Sequence, residues 1–221
     1  MTIKHFAVDI GNTILEPVSG NWYITNYLYY YLYNKMCLND SDIQQINANI
    51  EIAKRKYSNI SYIPDCITEF EYYCKFYDTV LNDDCMRVSK CILEDIADNR
   101  TYGVGLYNMF EPMTDCLKLA SKNVSIGLFS NTYPSVVRFL KDKNVLDIFS
   151  NNCFSYQEGL KKPNCKIFEH MLHKTALKPS EILLIDDSEA CINVAEMMGM
   201  NTVQVDKTNL DESIRRIGEW L

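Results

Sequence analysis

The sequence predicts an α/β protein, a doubly wound parallel sheet with an inserted α-helical cap domain, and three observations predict it. Short apolar runs, most with β-branched residues, recur at Phe6 to Val8, Val124 to Phe129, Asn152 to Ser155, Ile182 to Ile185 and Thr202 to Val205. In the second half, stretches of helical period separate these runs, and such alternation indicates a parallel sheet covered on both faces. Between about Trp22 and Asn99 the alternation stops and only amphipathic helical patterns remain.

In chain order, the first run closes on Asp9 and opens Asp9-Ile10-Gly11-Asn12-Thr13. The helical module is read as residues 17–102, which leaves 1–16 and 103–221 as the core domain. The stretch from Trp22 to Asn99 holds 11 of the 15 tyrosines. Tyr23, Tyr27, Tyr30 and Tyr31 repeat at helical spacing, as do Phe70, Tyr73 and Tyr77, which predicts an aromatic stripe that packs helices together. Pro64 and the stretch Ser58-Asn59-Ile60-Ser61 predict a loop between two of these helices. Beyond the module, Pro112, Pro134 and Pro163 each predict a first helical turn, where the missing proline N–H would be unpaired anyway. In a sheet of this kind ligands sit at the carboxyl ends of the strands.

Composition excludes several function classes. With 221 residues, 47% of them hydrophobic, the chain can bury one sizeable core and a modest module. Its net charge of -7 argues against binding a phosphate backbone, so no nucleic-acid partner is expected and any anionic substrate needs a local site. Nine scattered cysteines without a Cys-x-x-Cys are expected to be reduced core thiols of a cytoplasmic protein. The N-terminal residues lack the apolar region of a signal peptide, and no stretch reaches the ~18 apolar residues of a membrane span, so no membrane partner is expected. Oligomeric state is left open between monomer and homodimer.

Four stations follow the strand ends in order: Asp9 to Thr13, Ser130-Asn131-Thr132, Lys162-Pro163 and Asp186-Asp187. A carboxylate is costly to bury unless paired, hydrogen-bonded or metal-bound, so acids on strand ends point to a cation site. Together the stations suit phosphoryl transfer. Asp9 is the candidate nucleophile, because a carboxylate attacking phosphorus splits one hard hydrolysis into two easier steps. Asp186 and Asp187 are candidates to hold a hard, oxygen-seeking ion, Mg²⁺. Ser130 and its neighbour Asn131 are expected to face a phosphate, and Lys162 to neutralise charge on the transferring group. Asn12 is given to the substrate as well, as an amide that orients water or a leaving-group oxygen, beside a structural role in a turn.

This ordered set resembles the haloacid dehalogenase-like hydrolase superfamily. Asp9 matches the family nucleophile, Thr13 the first-motif threonine, Ser130 the second-motif hydroxyl, Lys162 the third-motif lysine, and Asp186 with Asp187 the fourth-motif acids. Leu128-Phe129-Ser130-Asn131-Thr132 and Gly159-Leu160-Lys161-Lys162-Pro163 look like bacterial sugar-phosphate phosphatases, some of which carry Gly-Asn after the nucleophile, as in the glucose-1-phosphate phosphatase type. The resemblance implies a Rossmann-like core with a cap that closes over the site and excludes water. It implies a Mg²⁺-dependent phosphatase of a small phosphorylated metabolite, through an aspartyl-phosphate on Asp9. It also implies that the Gly11 carbonyl joins Asp9, Asp186 and Asp187 around the metal.

Gly11 departs from the pattern, because most family phosphatases have there a second aspartate that protonates the leaving group and then activates water. General acid–base help is worth ~10² to 10⁴ in rate, so its loss is expected to slow turnover of poor leaving groups. Two alternatives are weighed: a metal-free 2-haloacid dehalogenase, against which the acid pair Asp186-Asp187 argues, and a catalytically weak relative that binds a phosphorylated ligand.

Overall fold

A computed structural model describes residues 2–60, 62–82 and 87–221. Internal packing divides the chain into two compact units, Met1–Glu16 with Met109–Leu221, and Pro17–Asn108.

The first unit is built on a five-stranded parallel sheet. In chain order it contains β1 (His5–Val8), helix α5 (Glu111–Ala120), β4 (Ser125–Ser130), α6 (Pro134–Asp142), β5 (Cys153–Phe154) and α7 (Ser155–Glu158). It continues with α8 (Cys165–Thr175), β6 (Ile182–Asp186), α9 (Glu189–Met197), β7 (Asn201–Gln204) and α10 (Leu210–Gly218). The strand order is β5-β4-β1-β6-β7, so the chain builds outward to one side of β1 and then to the other. That reversal makes the carboxyl end of β1 a topological switch point, where doubly wound sheets open a crevice. All five apolar runs of the sequence are therefore strands, shifted by a residue or so at their ends.

Register decides what meets at that crevice. Val8 lies opposite both Leu128 and Ile185, so one residue further Asp9 comes level with Phe129 and Asp186. Side chains alternate along a strand, so Ala7 shares a face with Asp9, and Leu184 with Asp186. Ala7, Phe129 and Leu184 pack with Ile167, Phe168 and Met171 of α8 and with Ile192 and Ala195 of α9. The acids thus project from the sheet face that α8 and α9 cover, at the edge where that cover ends.

One glycine is required by close approach. A Cβ on Gly127, in β4, would stand 2.3 Å from the Ser150 carbonyl oxygen and 3.0 Å from the buried His5 ring. His5 is itself held below its ordinary pKa, at about 4, by burial.

The second unit contains α1 (Asn26–Tyr30), a π-helical turn over Tyr31–Lys35, α2 (Asp40–Lys56), α3 (Cys66–Leu81) and α4 (Lys90–Tyr102). Short strands β2 (Leu15–Pro17) and β3 (Tyr107–Met109), which the sequence did not suggest, pair with each other. α2 starts on a reciprocal cap in which Asn39 accepts from the Asp42 N–H and Asp42 accepts from the Asn39 N–H, both donors otherwise lost at a helix end. The expected aromatic stripe is half right. Tyr73, Phe76 and Tyr77 of α3 are fully buried, and Tyr77 donates to the Tyr23 carbonyl at 2.7 Å. Tyr27 and Tyr30 are instead exposed, on a short helix whose buried residue is Leu28. Arg100 is buried among these rings, donating to the Trp22 carbonyl at 3.1 Å and the Tyr107 hydroxyl at 2.8 Å, with its guanidinium 4.7 Å from the Tyr73 centroid.

Further expectations need correction. α8 begins at Cys165 with Asn164 as its cap, so Pro163 precedes the helix rather than forming its first turn. The cysteines described are all free thiols, but only Cys153 and Cys191 are buried. Ser61 and Cys85 lie outside the described residues. No helix among the described residues is long and apolar enough to cross a membrane.

Replacing Gly127 by alanine is expected to cost about 1–3 kcal/mol of stability, because a methyl group cannot be seated against a backbone oxygen. Urea denaturation of Gly127→Ala beside wild type measures this, with an unchanged midpoint as the contrary result.

Candidate active site

Lys162 lies at the centre of the four stations. Its Nζ donates to Asp9 Oδ1 at 2.8 Å, to Asp186 Oδ2 at 2.5 Å and to the Phe129 carbonyl at 2.7 Å. An ammonium has three protons, and the three contacts use them all. The same nitrogen stands 5.0 Å from the centroid of the Phe129 ring, whose edge-to-face contact with Phe168 carries the sheet core up to the site. Lys162, Asp9 and Asp186 are all buried.

Local folding explains how each group arrives. Asp9 follows β1 and continues its pairing, donating its N–H to the Ile185 carbonyl at 2.9 Å. Asp186 ends β6, and its Oδ1 accepts the Ser188 N–H at 2.9 Å at the entry to α9. Lys162 has no strand beneath it. Its backbone is gripped by Asn131, which donates to the Lys162 carbonyl and accepts the Lys162 N–H, both at 2.8 Å. The sequence reading gave Asn131 to the substrate, but both ends of its amide are engaged with Lys162.

The first station is a tight turn. The Ile10 carbonyl accepts the N–H of Ile14 at 2.9 Å and of Leu15 at 3.1 Å, and Asn12 donates its N–H to the Leu15 carbonyl at 2.7 Å. Asn12 sits at φ 52°, in the left-handed region that asparagine tolerates. Its amide, also assigned to the substrate from sequence, donates to Asp187 Oδ2 at 3.1 Å. Thr13 is fully buried, and its hydroxyl has no hydrogen-bond partner among the described residues. Ser130 is buried at the end of β4. On α8, His170 is an exposed residue paired with Glu158 at 2.8 Å.

Electrostatics favour an added cation. One carboxylate oxygen from each of Asp9, Asp186 and Asp187 lies within 4.8 Å of the others. Three carboxylates against one ammonium leave two negative charges in excess. Burial raises the Asp186 pKa above the usual carboxylate range and the Asp9 charge raises it further, against the opposing pull of Lys162. Asp187 is raised by burial, opposed by its hydrogen bond from Asn12. Burial disfavours the Lys162 ammonium, yet Asp9 and Asp186 more than offset it and hold the group above its ordinary pKa. The donors are all oxygen, which suits a hard divalent ion rather than zinc. An open groove lined by Asn12, Asp187, Gln204, Asp206, Lys207 and Arg216 leads away from this cluster.

Known proteins resemble this chain in sequence and in fold. A family model described as haloacid dehalogenase-like hydrolase matches residues 88–205, a span that includes Ser130, Lys162, Asp186 and Asp187 but not Asp9. The chain is 31% identical over 90 residues to a D-ribitol-5-phosphate phosphatase of Bacteroides thetaiotaomicron, over 38% of this chain and 44% of that protein. It is 29% identical over 102 residues to mouse acyl-CoA dehydrogenase family member 10, over 44% of this chain and 9% of that protein. The chain thus spans less than half the length of either relative. Among solved structures, a haloacid dehalogenase family enzyme from Bacteroides thetaiotaomicron in complex with magnesium and inorganic phosphate superposes with a TM-score of 0.56 at 20% identity, over 93% of this chain and 95% of that one.

Each ammonium–carboxylate contact is worth on the order of 6 kcal/mol at an effective dielectric near 20, similar to the several kcal/mol needed to dehydrate each ion. Removing the lysine alone therefore leaves two buried carboxylates with nothing to offset them. Lys162→Met is expected to lower unfolding free energy by about 3–5 kcal/mol in metal-free buffer, as read by urea titration. A loss under about 1 kcal/mol would show that solvent already screens the acids.

Proposed function

The chain belongs to the haloacid dehalogenase-like hydrolase family, and from that premise we propose that it is a Mg²⁺-dependent phosphatase of a small phosphorylated metabolite such as a sugar or polyol phosphate. The observation that carries this reading is the Lys162 ammonium held between Asp9 and Asp186 beside a third carboxylate, a nucleophile and an ion site in one cluster. The D-ribitol-5-phosphate phosphatase relative and the magnesium and phosphate complex of the structural neighbour support it.

In this mechanism Lys162 pins Asp9 Oδ1 and so fixes where the carboxylate points. Asp9 attacks phosphorus, the bond from phosphorus to the ester oxygen breaks, and the acyl phosphate forms on Asp9. Water then attacks the same phosphorus and releases phosphate and the free carboxylate. Ser130, at the end of β4, and the Lys162 ammonium stabilise the phosphoryl oxygens while charge develops there. Asp9, Asp186, Asp187 and the Gly11 carbonyl would hold Mg²⁺, which supplies charge neutralisation between the attacking carboxylate and the anionic ester. At position 11 there is no acid, and Asn12 offers only an amide, so the leaving oxygen departs without a side-chain proton donor.

Phosphate release from an aryl phosphate is expected with Mg²⁺ and to be lost in EDTA, and Asp9→Asn should lower kcat at least about 10³-fold. Equal rates for wild type and variant would remove Asp9 from the chemistry. EDTA-resistant halide release from a 2-haloacid would favour the dehalogenase instead.

Restoring the missing acid gives a separate test. Gly11→Asp should speed hydrolysis of alkyl phosphates by about 10²-fold while changing aryl phosphate turnover far less, because a good leaving group needs no proton. Equal gains on both substrates would show that position 11 does not act as an acid.

A further inference from the structure

We propose that Asn12 is a positioning residue for the acid pair, its side-chain amide holding the Asp187 carboxylate in place for the divalent cation. The inference rests on the cation reading above and assigns to this residue a task outside the transfer steps.

The turn leaves Asn12 little freedom. Its backbone is locked by the hydrogen bond from its N–H to the Leu15 carbonyl at 2.7 Å and by the left-handed φ of 52°. From that fixed backbone the amide reaches across 175 positions of sequence to Asp187 Oδ2 at 3.1 Å. Asp186 is held at both oxygens, Oδ1 by the Ser188 N–H and Oδ2 by Lys162. Asp187 is held differently: Gln204 donates to its backbone carbonyl at 3.2 Å, and Asn12 supplies the one side-chain hydrogen bond made by its carboxylate among the described residues. Without Asn12 the half-buried Asp187 side chain would be free to rotate away from Asp9 and Asp186.

The chemistry of the donor matters as much as its place. A cationic side chain at position 12 would cancel one of the two excess negative charges that attract a divalent ion. A carboxamide fixes the geometry and leaves the charge intact. Second-sphere hydrogen bonds of this kind commonly contribute 10- to 100-fold in metal affinity.

Glycine is the informative substitution, because it adopts positive φ without strain and removes only the amide. The readout is the Mg²⁺ concentration that gives half of the metal-dependent rise in melting temperature, measured on the full chain without substrate. Asn12→Gly is expected to raise that concentration about tenfold, while the melting temperature in EDTA stays close to wild type. In an Asp187→Ala background the same substitution should change it less than about twofold, since the partner is gone. A wild-type midpoint in Asn12→Gly, or the same tenfold shift in both backgrounds, would overturn the assignment alone. A wild-type chain whose melting temperature does not respond to Mg²⁺ would overturn the cation reading and this inference with it.

Discussion

Burial of one ammonium between two strand-end carboxylates is the constraint on which the rest of the site depends. Lys162 satisfies Asp9, Asp186 and the Phe129 carbonyl at once, and each of the three would be costly to bury unpaired. The contacts roughly balance the dehydration of the ions, so the cluster contributes placement more than stability. It also leaves negative charge over, and that excess is the property on which the proposed phosphatase chemistry draws.

The sheet makes this cluster possible through register and alternation. Val8 pairs with both Leu128 and Ile185, which brings Asp9 level with Phe129 and Asp186. The same parity that buries Ala7 and Leu184 under α8 and α9 directs the acids to the edge of that cover. Lys162 then needs only to approach from the segment ahead of α8, where Asn131 grips its backbone from the loop after β4. Each strand of the central three contributes to the site, so a slip of one residue in any of them would turn its functional group to the other face.

Much of this was legible in the sequence because it rests on short-range pattern. The five apolar runs became strands, and Asp9, Lys162 and Asp186, three of the residues singled out along the chain, meet in one cluster. What stayed hidden depends on which polar groups meet across long stretches of chain. Asn131 and Asn12 read as substrate ligands because an amide beside a catalytic station looks available, yet their partners are Lys162 and Asp187. The Phe129 carbonyl and the Gln204 amide carry no sequence signal for the roles they take. Helical spacing likewise could not tell the buried Tyr73 and Tyr77 from the exposed Tyr27 and Tyr30, because period locates a face without saying what covers it.

The central claim is that Asp9 carries the phosphoryl group, and it can be tested on the covalent species itself. In this mechanism the acyl phosphate on Asp9 is the one covalent species formed on the protein. Acid quenching of the enzyme with an aryl phosphate and Mg²⁺, followed by peptide mass mapping, should find one phosphoryl group, removable by hydroxylamine, on the peptide that contains Asp9. Turnover with that peptide unmodified, or with the phosphoryl group on another residue, would contradict the account.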